Sequence, residues 1–250
     1  MEKQEIVYFC KENKIYDYHI NDNGSISVEG GVDLSDLQVN IIPFKFEVVS
    51  GKFVCPKSIT SLENTPSSVG QFICKDCINL ASLEGCPTDL FDLDCSGCSF
   101  TNFKNCPEEI PGSFICNRCL NLETLEGGPT KVGETYSCIG CDKLISLNGA
   151  PEEIPGSFQC CSCNSLKNLK GAPKYVGDSF SCAYCTNLTS LRGAPRKVEG
   201  DFTCSGCRSL LDLSGMPRET FGDFYCVNCG KVFTKSQFPK SSCVMKYIYY

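Results

Sequence analysis

The sequence predicts a mostly β repeat solenoid of about ten coils of 21–22 residues, each with one short parallel strand and little or no helix. Three observations carry this reading. The first cysteine of a C-x-x-C pair falls at 74, 95, 116, 138, 160, 182, 204 and 226, in steps of 21 and then 22. Prolines recur in phase at 66, 87, 107, 129, 151, 173, 195, 217 and 239. Within each unit Phe-x-Cys alternates with period two, as a half-buried strand does.

The unit reads P-x-x-V/I-x-G-x-F-x-C-x-x-C-x-x-L-x-x-L-x-G-x. Its Pro and Gly punctuation leaves no room for a helix of about ten residues. Pro107 to Phe114 matches Pro151 to Phe158 residue for residue, 44 positions apart, which points to duplication of a two-repeat block. The array fades toward the N-terminus, where Phe53-Val54-Cys55 and then Val32-Asp33-Leu34 hold the strand position. A lone coil buries too little to offset the entropy of ordering it. Stacking supplies the missing burial and pairs the strands into a ladder.

The elements follow in order. Residues 1–30 read as an N-terminal β cap, with strand-like runs at Glu5 to Cys10 and Ile15 to Ile20 and a tight turn at Asn23-Gly24. Its His19 reads as a cap residue, not a catalytic one. Residues 31–235 form the solenoid. Residues 236–250 read as a C-terminal cap or closing strand, with Tyr247, Tyr249 and Tyr250 in it.

Composition excludes several functions. A single His and no Trp among 250 residues leave no Ser-His-Asp triad in the repeats and no zinc-protease helix. No catalytic residues and no cofactor are expected. A net charge of -6 argues against general binding to a nucleic-acid backbone. No apolar stretch reaches the roughly 18 residues of a membrane span. The first residues lack a basic stretch followed by an apolar run, so a reducing cytoplasm is the expected setting.

The 22 cysteines then need a reason other than disulfides. They recur together with Phe, Pro, Gly and Leu, so they read as buried framework with no metal role. The alternative is a zinc-binding or redox-responsive ladder, because Cys95/Cys98 and Cys116/Cys119 have the spacing of a zinc motif. Air oxidation between stacked coils is a third option. Cys161 lies outside the framework and is the expected reactive thiol.

The stretch Phe180-Ser181-Cys182-Ala183-Tyr184-Cys185-Thr186-Asn187-Leu188 resembles the leucine-rich repeat, L-x-x-L-x-L-x-x-N/C-x-L, with one extra residue before the last Leu. The match covers residues 30 to 235. It departs from the family in having Phe and Cys in the strand, a fixed Pro and Gly, and no helix on the convex side. The variant P-x-x-V-x-G-x-F-x-C, with the entering segments Ile20 to Ile26 and Gly31 to Ser35, is similar to short repeat proteins encoded by large tailed phages and some bacteria. The resemblance implies a host cytoplasm and a host protein as partner.

In a solenoid the inward positions are committed to packing, so function falls on outward positions of the strand face. The expected reading is a non-enzymatic scaffold that binds a protein. Its partner-binding residues are Ile115, Asn117, Arg118, Ile139, Gln159, Tyr184, Tyr225 and Asn228, a mixed strip with the Tyr and Arg that binding hot spots favour. Glu108, Glu109, Glu152 and Glu153 repeat on the turn side and read as solvating charge, not as an acid–base pair.

Overall fold

The computed structural model describes residues 2–233. The expected C-terminal cap or closing strand at 236–250 lies outside the described residues. The rest is a mostly β solenoid of about nine turns with a single short helix. A parallel ladder runs through Val32, Phe53, Phe72, Leu93, Phe114, Tyr136, Phe158, Phe180, Phe202 and Phe224 in register. The first cysteine of each pair continues it: Cys116 N donates to Ser137 O, Cys138 N to Gln159 O and Cys160 N to Ser181 O, each at 2.8 Å.

The expectation of one strand per coil needs correction. Ser68–Ile73 and Asp89–Asp94 are single six-residue strands. From Pro107 onward the strand splits in two, as in Glu153–Ile154 and Phe158–Gln159. The outer pieces form separate ladders: Glu109–Ile110 with Lys131–Val132, and Glu153–Ile154 through Glu219–Thr220. The cause is local. In every split coil one more residue separates the inward residue of the outer piece from the buried aromatic (Ile110 to Phe114, Val176 to Phe180) than in the unsplit coils (Val69 to Phe72, Leu90 to Leu93), and the chain bends there whether Pro, Gly or another residue stands at the bend.

The same bend explains the 44-residue block. A Cβ on Gly133 would lie 1.9 Å from Pro111 O, and one on Gly177 would lie 2.1 Å from Pro155 O. A Pro coil therefore stacks against a Gly coil, and the stacking pair is what the sequence duplicates. Replacing Gly177 with Ala is expected to lower unfolding stability by roughly 1–3 kcal/mol, the usual range for overpacking. A urea melt within 0.5 kcal/mol of the parent would refute that reading of the bend.

The interior is one continuous column. The repeated Val or Ile, Phe, both Cys and both Leu are fully buried through the central coils. Phe158, Phe180, Phe202 and Phe224 stack in line, with ring centroids 5.5, 5.2 and 5.0 Å apart. Tyr136 stands in this column where other coils carry Phe, and its buried hydroxyl has no hydrogen-bond partner. An orphaned buried hydroxyl costs about 1–3 kcal/mol. The Tyr136→Phe variant is therefore expected to be more stable by about 1 kcal/mol or more in a denaturant melt; a loss of stability would contradict it.

The N-terminal cap also differs from expectation. Glu2–Glu12 is an α-helix, not a strand. Its buried residues Ile6, Phe9 and Cys10 fall at i, i+3 and i+4, one helical face, and Phe9 packs edge-on against Phe44 at 5.3 Å. Lys14 takes a positive φ of 56° and Ile15 N bonds Cys10 O at 2.8 Å, closing the helix. Tyr18–Ile20 and Ile26–Val28 pair antiparallel across a turn with Gly24 at φ 81°. Ile26–Val28 then joins the main sheet beside Phe46–Val54. His19 is exposed in this hairpin opposite Ser27.

Candidate functional site

Each C-x-x-C pair brackets a tight turn. The residue before the second cysteine is in the left-handed region at every coil: Asp76, Gly97, Arg118, Gly140, Ser162, Tyr184, Gly206 and Asn228, with φ between 55° and 72° for all but Gly206 at 76°. The turn keeps the ladder going, since Arg118 N donates to Ile139 O and Tyr184 N to Ser205 O, both at 2.7 Å. The second cysteine is thereby aimed inward. Its thiol reaches back to the first cysteine's carbonyl one coil earlier, as in Cys98 to Cys74 O at 3.0 Å and Cys185 to Cys160 O at 3.1 Å.

The cysteines are thus filler and inter-coil stitch together. All 21 described cysteines are free thiols. Burial pushes Cys95, Cys116 and Cys160 well above the ordinary thiol range, so they stay protonated, and Cys116 donates to Ser137 O at 3.3 Å. Cys161, by contrast, is half-buried on the outer surface with its sulfur 3.0 Å from Ser181 Oγ.

The structure sorts the strip of expected binding residues. Arg118, Tyr184 and Asn228 are exposed at the turn tips, with Tyr184 62% accessible. Ile115, Ile139, Gln159 and Tyr225 are half-buried along the strand face, and Ile115, Gln159 and Tyr225 lie on the same ladder. Tyr225 donates its hydroxyl to Asp223 Oδ2 at 3.1 Å, and that bond raises its phenol above the usual range. Asn117 is engaged internally: its Oδ1 accepts from Ile139 N at 2.7 Å and from Ser137 Oγ at 2.8 Å. Its side-chain oxygen thus joins adjacent coils.

Two side chains at the turns lie along the solenoid axis over a glycine of the next coil. A Cβ on Gly206 would come 2.5 Å from the Tyr184 ring, and one on Gly140 would be 3.5 Å from Arg118 Cγ. Glycine in one coil therefore makes room for the large side chain of its neighbour. The alternation of Gly97, Gly140 and Gly206 with Arg118 and Tyr184 is the sequence signal for this arrangement.

Sequence reasoning passed over an acidic hollow on the same face. It has a volume of about 260 Å³ and is lined by Asp92, Asp94, Glu134 and Ile115 among others. The carboxylates are oriented by neighbours: Asp92 Oδ1 accepts from Ser113 N at 2.7 Å, and Asp94 Oδ1 from Ser96 N at 2.9 Å. Among the described residues no helix is long and apolar enough to cross a membrane. No protein-family model, curated protein or solved structure matches this chain.

Proposed function

We propose that the chain is a non-enzymatic scaffold of leucine-rich-repeat type that binds a protein on its strand face, with Tyr184 and Arg118 as anchors. The observation that carries this is backbone cost. A non-glycine residue in the left-handed region gives up roughly 1–2 kcal/mol; three of the eight equivalent turns use glycine, at Gly97, Gly140 and Gly206, and Asp76, Ser162 and Asn228 share the strained backbone without so large a contact group. Tyr184 and Arg118 hold that conformation while exposed, so neither is repaid by burial of the side chain in the core. Strain kept at an exposed, pre-oriented aromatic or guanidinium is the pattern of a contact surface. The acidic hollow beside Ile115 favours a partner that offers a basic group there. The resemblance to phage-encoded repeat proteins supports a host protein in the cytoplasm as that partner.

The test separates binding from folding. Tyr184→Gly and Arg118→Gly remove the side chains and relieve the backbone, so each variant is expected to be as stable as the parent or more so, by up to about 1 kcal/mol. Each is expected to weaken binding at least about 30-fold, the loss of one hot-spot residue. The partner is recovered by crosslinking the full chain in extracts of its source and then measured as a purified pair. Unchanged affinity in both variants would remove this face from consideration.

A further inference from the structure

The last described coil departs from the thiol pattern of the others. Its Cys226 and Cys229 sulfurs are 3.1 Å apart, and both residues are half-buried. Together with buried Cys204 they place three sulfurs within 4.8 Å of one another. Among the described residues this is the one cluster of three metal-ligating side chains. We propose that Cys204, Cys226 and Cys229 form a trithiolate site for one zinc ion at this end of the solenoid.

The geometry fits the ion closely. Tetrahedral zinc, with bonds of about 2.3 Å to sulfur, sets its ligands about 3.8 Å apart. The three sulfurs bracket that spacing, so side-chain rotations of about 1 Å complete the site. Cys204 anchors it from the core, and the half-buried pair admits the ion from solvent. The sulfurs exchange existing hydrogen bonds for metal bonds, namely Cys204 to Tyr225 O at 3.5 Å and Cys229 to Cys204 O at 3.3 Å. On binding, the three thiol protons pass to water and no electrons move. The complex carries one net negative charge, with the fourth position open to water or an added thiol.

The interior pairs do not compete for the ion. Among the described residues no other three metal-ligating atoms lie within 4.8 Å of one another, and the cysteines of the interior pairs are buried where Cys226 and Cys229 are half-buried. The site does not depend on the strand-face reading.

The reduced full chain, stripped of metal by a chelator, is titrated with Co²⁺ and then with Zn²⁺. One equivalent of Co²⁺ is expected, with thiolate-to-cobalt charge-transfer absorption that one equivalent of Zn²⁺ abolishes. Cys226→Ser and Cys229→Ser are each expected to weaken uptake at least about 100-fold, at the upper end of losses for even indirect supports of a metal. Cys161→Ser is expected to leave uptake unchanged. Should a variant fail to fold, alkylation of the parent chain decides: zinc is expected to protect Cys226 and Cys229 and leave Cys161 reactive. No stoichiometric uptake, several equivalents tracking the number of C-x-x-C pairs, or uptake without that protection would each overturn the proposal.

Discussion

Replacing Phe180 with alanine is expected to cost about 3–5 kcal/mol, the range for a buried Phe cut to Ala. The ring has no exposed surface and is stacked on both sides, 5.5 Å from Phe158 and 5.2 Å from Phe202, within 8° of parallel. Its removal loses the burial and two ring contacts, each worth about 0.5–1.5 kcal/mol beyond burial. The damage is also directional. A solenoid is held by nearest-neighbour interfaces, so weakening one coil uncouples the stack on either side of it. Hydrogen exchange should therefore rise first in the coils of Phe202 and Phe224, the shorter segment beyond the defect. Phe221→Ala is the control: Phe221 is 60% exposed and meets Lys197 across 5.1 Å, so a loss under about 1 kcal/mol is expected. A Phe180→Ala loss as small as the control's would show that the aromatic column does not hold the coils together.

Gly171→Ala is expected to cost roughly 2–4 kcal/mol, from two independent penalties. Gly171 has φ 90°, and a Cβ there would lie 2.3 Å from Asn148 N in the preceding coil. The first penalty is intrinsic to the residue, and the second is set by how closely the coils approach. Gly24 separates them, because it shares the positive φ at 81° but has nothing within 4 Å of an added Cβ. Gly24→Ala should therefore cost only about 1 kcal/mol. Denaturant melts of the two variants measure the difference, and equal losses would mean that inter-coil contact at Gly171 contributes nothing.

Most of the fold was legible because the repeat repeats everything at once. Phase, inward set and ladder all follow from Phe, Cys, Leu, Pro and Gly recurring together, and the structure places those side chains as the pattern requires. Two features were misread for physical reasons. Ile6 to Cys10 is short and rich in β-formers, so its strand propensity masked the i, i+3, i+4 spacing that sets the helix over the first coil. The split strand follows from the residue added between the inward Val or Ile and the aromatic from Ile110 onward, a lengthening that the repeat spacing shows without saying where the chain bends.

The candidate site was legible in part. Arg118 and Tyr184 stand exposed as read. That they hold a left-handed backbone is visible in the sequence only through Gly97, Gly140 and Gly206 at the same turn. Asn117 could not be told from a free residue, because its engagement with Ile139 and Ser137 spans 20 to 22 residues of sequence. The Cys204, Cys226 and Cys229 cluster was hidden by its regularity. Its residues sit in phase with every other pair, and only the distances between their sulfurs set them apart.

The central claim is that the repeated thiols are interior filler of a continuous stack. Timed alkylation of the folded, reduced, metal-stripped chain, read at each cysteine by mass spectrometry, tests it most directly. Cys161, Cys226 and Cys229 should label quickly, while Cys95, Cys116, Cys138, Cys160 and Cys182 should wait for coil opening and label slower by about a thousandfold or more. Labelling of those five at the rate of Cys161, with the fold intact, would place them at the surface and contradict the account.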